Sequence, residues 1–222
     1  RWIHPEHGEL LPASFIGTLI ETGLIATVGH WVLRQVVLDA ARLPELDGRA
    51  LALHVNLSPG EIASTQLRGV VQGLLHDTGL DPARLVVEVT EQALMGTVVS
   101  TSAISELTST GVRLSVDDFG TGSSSLSHLR QRPLHSLKLD RSFVAGIGRD
   151  ETDMAIVSGA IAIARRLGLG VVAEGVETEA QREWLLAEGC THLQGWLVGR
   201  PRPVEELVAR PTAPEASVIT LP

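Results

Sequence analysis

The sequence predicts a single α/β domain of the (β/α)8, TIM-like barrel class, its first strand truncated at the N-terminus, over residues 1–210, with a tail or linker at 211–222. Three observations carry that prediction. Short β-branched runs alternate with longer amphipathic stretches, the rhythm of strands joined by helical crossovers in a parallel sheet. The 222 residues lie close to the ~250 typical of such a barrel. Acidic or amide side chains also recur at the C-terminal ends of successive strands. A barrel gathers those ends at one mouth, whereas an open doubly wound sheet, the runner-up, would spread them along an edge.

In chain order, amphipathic stretches at 12–22 and 28–42 predict two helices ahead of a strand at 51–57. A helix at 61–77 leads to a strand at 85–90, and a helix at 97–109 to a strand at 112–116. The same alternation gives helix 124–131, strand 136–140, helix 152–167, strand 170–174, helix 179–188 and strand 192–197. Gly79, Gly111, Gly168 and Gly189 stand where helix C-caps need a left-handed residue. Pro133 stops the helix before it, since proline lacks the N–H that would continue the ladder. Periodicity fails after Pro211, hence the tail.

The formal charge of -8, from 26 acidic and 18 basic residues, argues against a general nucleic-acid polymer or membrane binder, which clusters Lys and Arg. An anionic ligand would need local help, and metal ions give it by turning carboxylates into a phosphate-binding surface. The single Cys190 excludes an internal disulfide and fits a reducing compartment as a packed thiol. With no apolar run of membrane length and no signal-peptide pattern, the expectation is a cytoplasmic domain, or the cytoplasmic part of a membrane-anchored protein. A chain that opens at Arg1 on an already patterned segment predicts a piece of a longer protein with neighbouring regulatory domains.

The chemistry concentrates at strand ends. Asp117 and Asp118 are adjacent acids that repel each other by several kcal/mol at an effective dielectric of ~20 unless a cation offsets them. Either they hold divalent ions or one caps the following helix. Glu88 interrupts an apolar strand and needs a partner, a metal or an Arg. Asn56 offers an amide oxygen at another strand end, or a turn cap. Lys138, in a strand that reads as buried, requires acidic company; it would orient or deprotonate a water, steady phosphate charge, or serve only as a structural ion pair. Glu174 ends a further apolar strand, with Glu177 beyond it as ligand-binding or capping residue, and Gln194-Gly195 adds an amide and room for close approach. The eight His residues lack zinc-motif spacing and there is no Gly-x-Ser-x-Gly elbow. Hard oxygen donors therefore point to Mg2+ or Mn2+.

Taken in order, Val55-Asn-Leu-Ser58, Glu88-Val-Thr-Glu91, Asp117-Asp-Phe-Gly-Thr-Gly122, Lys138-Leu-Asp140, Ala173-Glu-Gly-Val-Glu177 and Gln194-Gly195 resemble the EAL-domain family across almost the whole chain. That resemblance implies a barrel phosphodiesterase linearising cyclic di-GMP to pGpG with two Mg2+ or Mn2+ ions, or a catalytically inactive receptor for the same messenger. It implies that Asn56, Glu88 and Asp117 bind one ion and that Asp117, Asp118 and Glu174 bind the other, with Asp117 bridging. It gives Lys138 the attacking water and Glu91 the anchoring of the loop after Asp118; Arg1 contacts phosphate, and Asp140, Glu177 and Gln194 line the guanine or metal-water side. A homodimer is a further implication. The family's signature acid would fall three positions before Arg1, outside the sequence, while Ser123 stands where Tyr is usual and His135 where Asp is frequent.

Overall fold

The architecture comes from a computed structural model, which describes residues 1–43, 45, 50–122 and 132–209. The helix expected at 124–131, Ser123 and the tail at 211–222 lie outside the described residues.

The chain opens with an antiparallel hairpin, β1 (Trp2–His4) and β2 (Gly8–Leu10), and two helices, α1 (Pro12–Glu21) and α2 (Ile25–Ala40). Six parallel strands follow: β3 (Leu53–Asn56), β4 (Leu85–Thr90), β5 (Arg113–Phe119), β6 (Ser136–Leu139), β7 (Gly170–Ala173) and β8 (His192–Leu193). They pair strictly in chain order. A doubly wound sheet reverses its strand order at a switch point; this sheet does not, and it is the wall of a barrel.

Helices α3 (Pro59–Ile62), α4 (Leu67–Thr78), α5 (Glu91–Met95) and α6 (Thr101–Thr108) lie between the earlier strands. Helices α7 (Arg141–Ala145), α8 (Glu151–Arg166), α9 (Glu179–Glu188) and α10 (Val204–Ala209) belong to the later part.

Strand alternation sorts the residues into two environments. Val55, Leu85, Val87, Val89, Leu114, Val116, Leu137, Leu139, Val171, Ala173 and Leu193 join the apolar core. Their helical partners there are Leu33 and Val37 of α2, Val71 and Leu75 of α4, Ile104 and Leu107 of α6, Val157 and Ile161 of α8, and Leu185 of α9. Each such Leu, Ile or Val contributes about 1.5–3 kcal/mol by leaving water. The alternate positions, His54, Glu88, Ser115, Asp117, Ser136 and Lys138, carry polar groups onto the other face. Ser136 and Ser115 satisfy each other there, hydroxyl to hydroxyl at 2.9 Å. Stability thus resides between sheet and helices, and the inner face is left for chemistry.

Several expected elements differ. The helix expected at 61–77 is two helices, α3 and α4, and the capping box of Ser58 and Glu61 starts the first of them early. The strand expected to end at Val116 runs on to Phe119 through a register shift. β8 stops at Leu193, where Gly195 crosses the backbone of Val176 so closely that a Cβ would meet its amide nitrogen at 2.3 Å. Among the described residues no helix is long and apolar enough to cross a membrane.

Candidate metal centre and active site

The register brings the strand-end residues to one level. Asn56 of β3 is the direct neighbour of Glu88 in β4, and Thr90 of β4 that of Asp117 in β5. Leu139 of β6 stands beside Ala173 of β7, so Glu174 follows immediately, its N–H donating to the Leu139 carbonyl. Gln194, just past β8, is tied in by its N–H to the Ala173 carbonyl.

Adjacent residues of a regular strand face opposite ways, which would separate Asp117 from Asp118. Two features prevent this. The pairing of β5 with β6 shifts between Val116 and Phe119, and Asp118 takes a left-handed backbone, φ 54°. For an ordinary L-residue that conformation costs roughly 1–2 kcal/mol, and Asp tolerates it better than most. Asp117, Asp118 and Glu174 consequently each offer a carboxylate oxygen within 4.8 Å of the others. The loop beyond is anchored by Glu91, a buried acid at the start of α5 whose Oε2 accepts from the Gly120 N–H at 2.8 Å. Gly120 itself has φ 98°, and a Cβ there would meet the Phe143 ring at 2.9 Å, so the position suits only glycine.

Lys138 points into this group from β6. Its ammonium lies 2.6 Å from Glu88 Oε2, 2.6 Å from Glu174 Oε1 and 3.0 Å from Asp117 Oδ1. The Asp117 contact is an ion pair without hydrogen-bond alignment, and Oδ1 has no hydrogen-bond partner. Glu88 is held from its other side by His54, whose Nδ1 lies 2.7 Å from Oε1.

Three carboxylates therefore meet one ammonium, with Asp118 beside them, and their protonation equilibria record the imbalance. Burial raises the pKa of Asp118, and the neighbouring Asp117 charge raises it further. Burial likewise raises Glu174, with Asp117 and Glu88 adding to it and Lys138 only partly opposing. For Glu88 burial pushes upward, but the His54 hydrogen bond and the Lys138 charge outweigh it and the net shift is downward. Burial alone would lower Lys138, yet Glu88 and Glu174 hold its pKa above the ordinary value. With no metal ion present, Lys138 is thus held as a cation and donates a hydrogen bond to Glu88. A clustered excess of carboxylate oxygen with an unbonded buried oxygen on Asp117 suits hard divalent cations.

The remaining expected residues occupy varied settings. Asp140 caps α7, its Oδ1 accepting from the Ser142 N–H at 2.9 Å. Glu177 is exposed after β7, and the capping box that opens α9 is made by Thr178 and Gln181, so Glu177 is not the cap. Gln194 and Asn56 are exposed. Arg1 pairs with Glu9 across the hairpin at 3.3 Å, both side chains open to solvent. His54 was not anticipated; the available signal was its position two residues before Asn56, on the same strand face.

Comparison with known proteins places this geometry. Residues 1–201 match the family model of the EAL domain. Over 210 residues the chain is 42% identical to the bifunctional diguanylate cyclase/cyclic di-GMP phosphodiesterase MucR of Pseudomonas aeruginosa, covering 94% of this chain and 31% of MucR. It is also 42% identical to the cyclic di-GMP phosphodiesterase NbdA of Pseudomonas aeruginosa, over 93% of this chain and 26% of NbdA. The solved PaMucR phosphodiesterase, in complex with c-di-GMP, superposes with a TM-score of 0.86 at 44% identity, covering 93% of this chain and 84% of that one. The chain spans about a quarter to a third of the length of the first curated relatives it matches. By the family match and by these likenesses, the chain belongs to the EAL-domain family.

Proposed function

We propose that this domain is a metal-dependent phosphodiesterase that hydrolyses cyclic di-GMP to linear pGpG. The observation that carries the proposal is the bulge and left-handed Asp118 that turn two adjacent acids to one side, beside Glu174 and opposite Lys138. A strained backbone is retained where function requires the arrangement. Relatives similar over nearly all of this chain are cyclic di-GMP phosphodiesterases by name, and one was solved with c-di-GMP bound.

In this reading Asn56, Glu88 and Asp117 hold one Mg2+ or Mn2+, and Asp117, Asp118 and Glu174 the other. Bound there, such ions lower the pKa of water towards neutrality and offset charge on the transferring phosphoryl group. Lys138, set among these acids, orients the attacking water and stabilises the charge that develops on the phosphate oxygens. Water oxygen bonds to phosphorus, the P–O3′ bond breaks, and the released O3′ takes a proton; the product keeps a 5′-phosphate. Glu91 keeps the Gly120 loop in place. Arg1, Asp140, Glu177 and Gln194 are assigned to the dinucleotide. Because the named relatives are several times longer than the matched segment, we read the domain as one unit of a larger signalling protein.

The test is chromatography of products from cyclic di-GMP with Mg2+ or Mn2+, using a protein carried upstream of Arg1. Appearance of pGpG, abolished by Glu88→Ala, is expected. Tight binding of cyclic di-GMP without turnover would replace the enzyme with a receptor.

A further inference from the structure

Glu88 is the most enclosed of the four acids, with 3% exposure, and both of its oxygens are engaged: Oε2 by Lys138 at 2.6 Å and Oε1 by His54 at 2.7 Å. The two holds differ in kind. Lys138 is shared among Glu88, Asp117 and Glu174, so its ammonium sits where positive charge is wanted by all of them. A divalent ion entering the cluster competes with Lys138 for the same oxygens. The His54 bond faces away from that competition, since Oε1 is the oxygen Lys138 does not take. Strand geometry explains its reach. His54 and Asn56 share one face of β3, and the register sets Asn56 beside Glu88 with His54 beside Val86, so the imidazole approaches Glu88 diagonally from below. An ionised carboxylate only accepts, which makes Nδ1–H the donor and fixes the tautomer.

We propose that His54 is a positioning residue of the metal centre: it locks the rotation of the Glu88 carboxylate and so sets the affinity of the ion held by Asn56, Glu88 and Asp117. The inference rests on the metal-site reading above and adds a residue to it. Partners behind a metal-binding side chain typically govern affinity by about 10–100-fold when removed.

The test is Mn2+ binding to the substrate-free protein, followed by electron paramagnetic resonance of the free ion, with far-UV circular dichroism reporting the fold. His54→Ala should weaken the tighter-coupled site by about 10–100-fold. His54→Asn, whose amide N–H lies near the place of Nδ1–H, should recover most of the loss. Affinity for the ion at Asp117, Asp118 and Glu174 should change less. Parent-like Mn2+ affinity in a folded His54→Ala protein would overturn this inference and leave the metal centre standing. If the parent binds no Mn2+, or if Glu88→Ala binds it unchanged, the metal-site reading falls and this inference with it.

Discussion

Replacing Lys138 with Met measures how far the acid cluster depends on a cation. The apolar side chain keeps similar length, while Glu88, Asp117 and Glu174 lose an ammonium at 2.6, 3.0 and 2.6 Å. Removing one partner of a buried ion pair costs about 3–5 kcal/mol because the other charge is stranded. Glu88 keeps its His54 bond, and Glu174 is only half-buried, so the lower end applies, about 3 kcal/mol. In a chain of this size each kcal/mol moves the melting temperature by about 2–4 °C, giving a fall of roughly 6–12 °C. The assay is thermal unfolding by circular dichroism in EDTA, repeated with excess Mn2+. Bound ions stabilise the native state by mass action, and they should stabilise the Met variant more than the parent because its acids have no internal competitor. The reasoning is refuted if the metal-free variant melts within about 2 °C of the parent, under 1 kcal/mol by the same conversion, or if Mn2+ raises both melting temperatures equally.

Four further outcomes are expected. His192, half-buried, has its pKa lowered by burial and then by the charge of His54, so its neutral form is favoured on folding; the resulting stability is complete above the unfolded value near 6.5 and is lost as pH falls towards the folded value. Urea melts between pH 5 and pH 8, around that unfolded value, should show a shallower acid loss for His192→Asn than for the parent. Burial pushes the Cys190 thiol up to about 11, so iodoacetamide at pH 8, below that value, should label it in urea but hardly at all in the native protein, as read by mass spectrometry. Asp118→Val places a β-branched residue at φ 54° and should cost about 1–2 kcal/mol in urea unfolding, whereas Asp118→Asn should cost little. Gly195→Ala, with a Cβ 2.2–2.3 Å from Val176 backbone atoms, should destabilise by about 1–3 kcal/mol in the same assay.

The sheet was legible because each barrel strand is an apolar run bounded by turn residues, and so was the polar series from Asn56 to Gln194. Lys138 announced itself as an ammonium in need of acids, and the structure supplies three. The short elements were hidden: three-residue strands in the hairpin and one-turn helices α5 and α7 carry too few residues for a periodicity. Nor could the sequence disclose how Asp117 and Asp118 come to face the same way, since a register shift and a left-handed residue arise from pairing with β6. His54 escaped notice because its partner lies on another strand, and a lone histidine in an apolar strand suggests nothing by itself.

The pairing of strands in the order of synthesis bears on how the protein is made. β3, β4 and β5 are synthesised before β6, so Glu88 and the Asp117–Asp118 pair are made before Lys138, the cation that sits among them. Lys138 arrives with the next strand and settles that charge just as β6 covers the edge, and Glu174 joins only afterwards. The order of synthesis thus leaves the acids of the site without their lysine until the fourth strand of the six-stranded sheet is made.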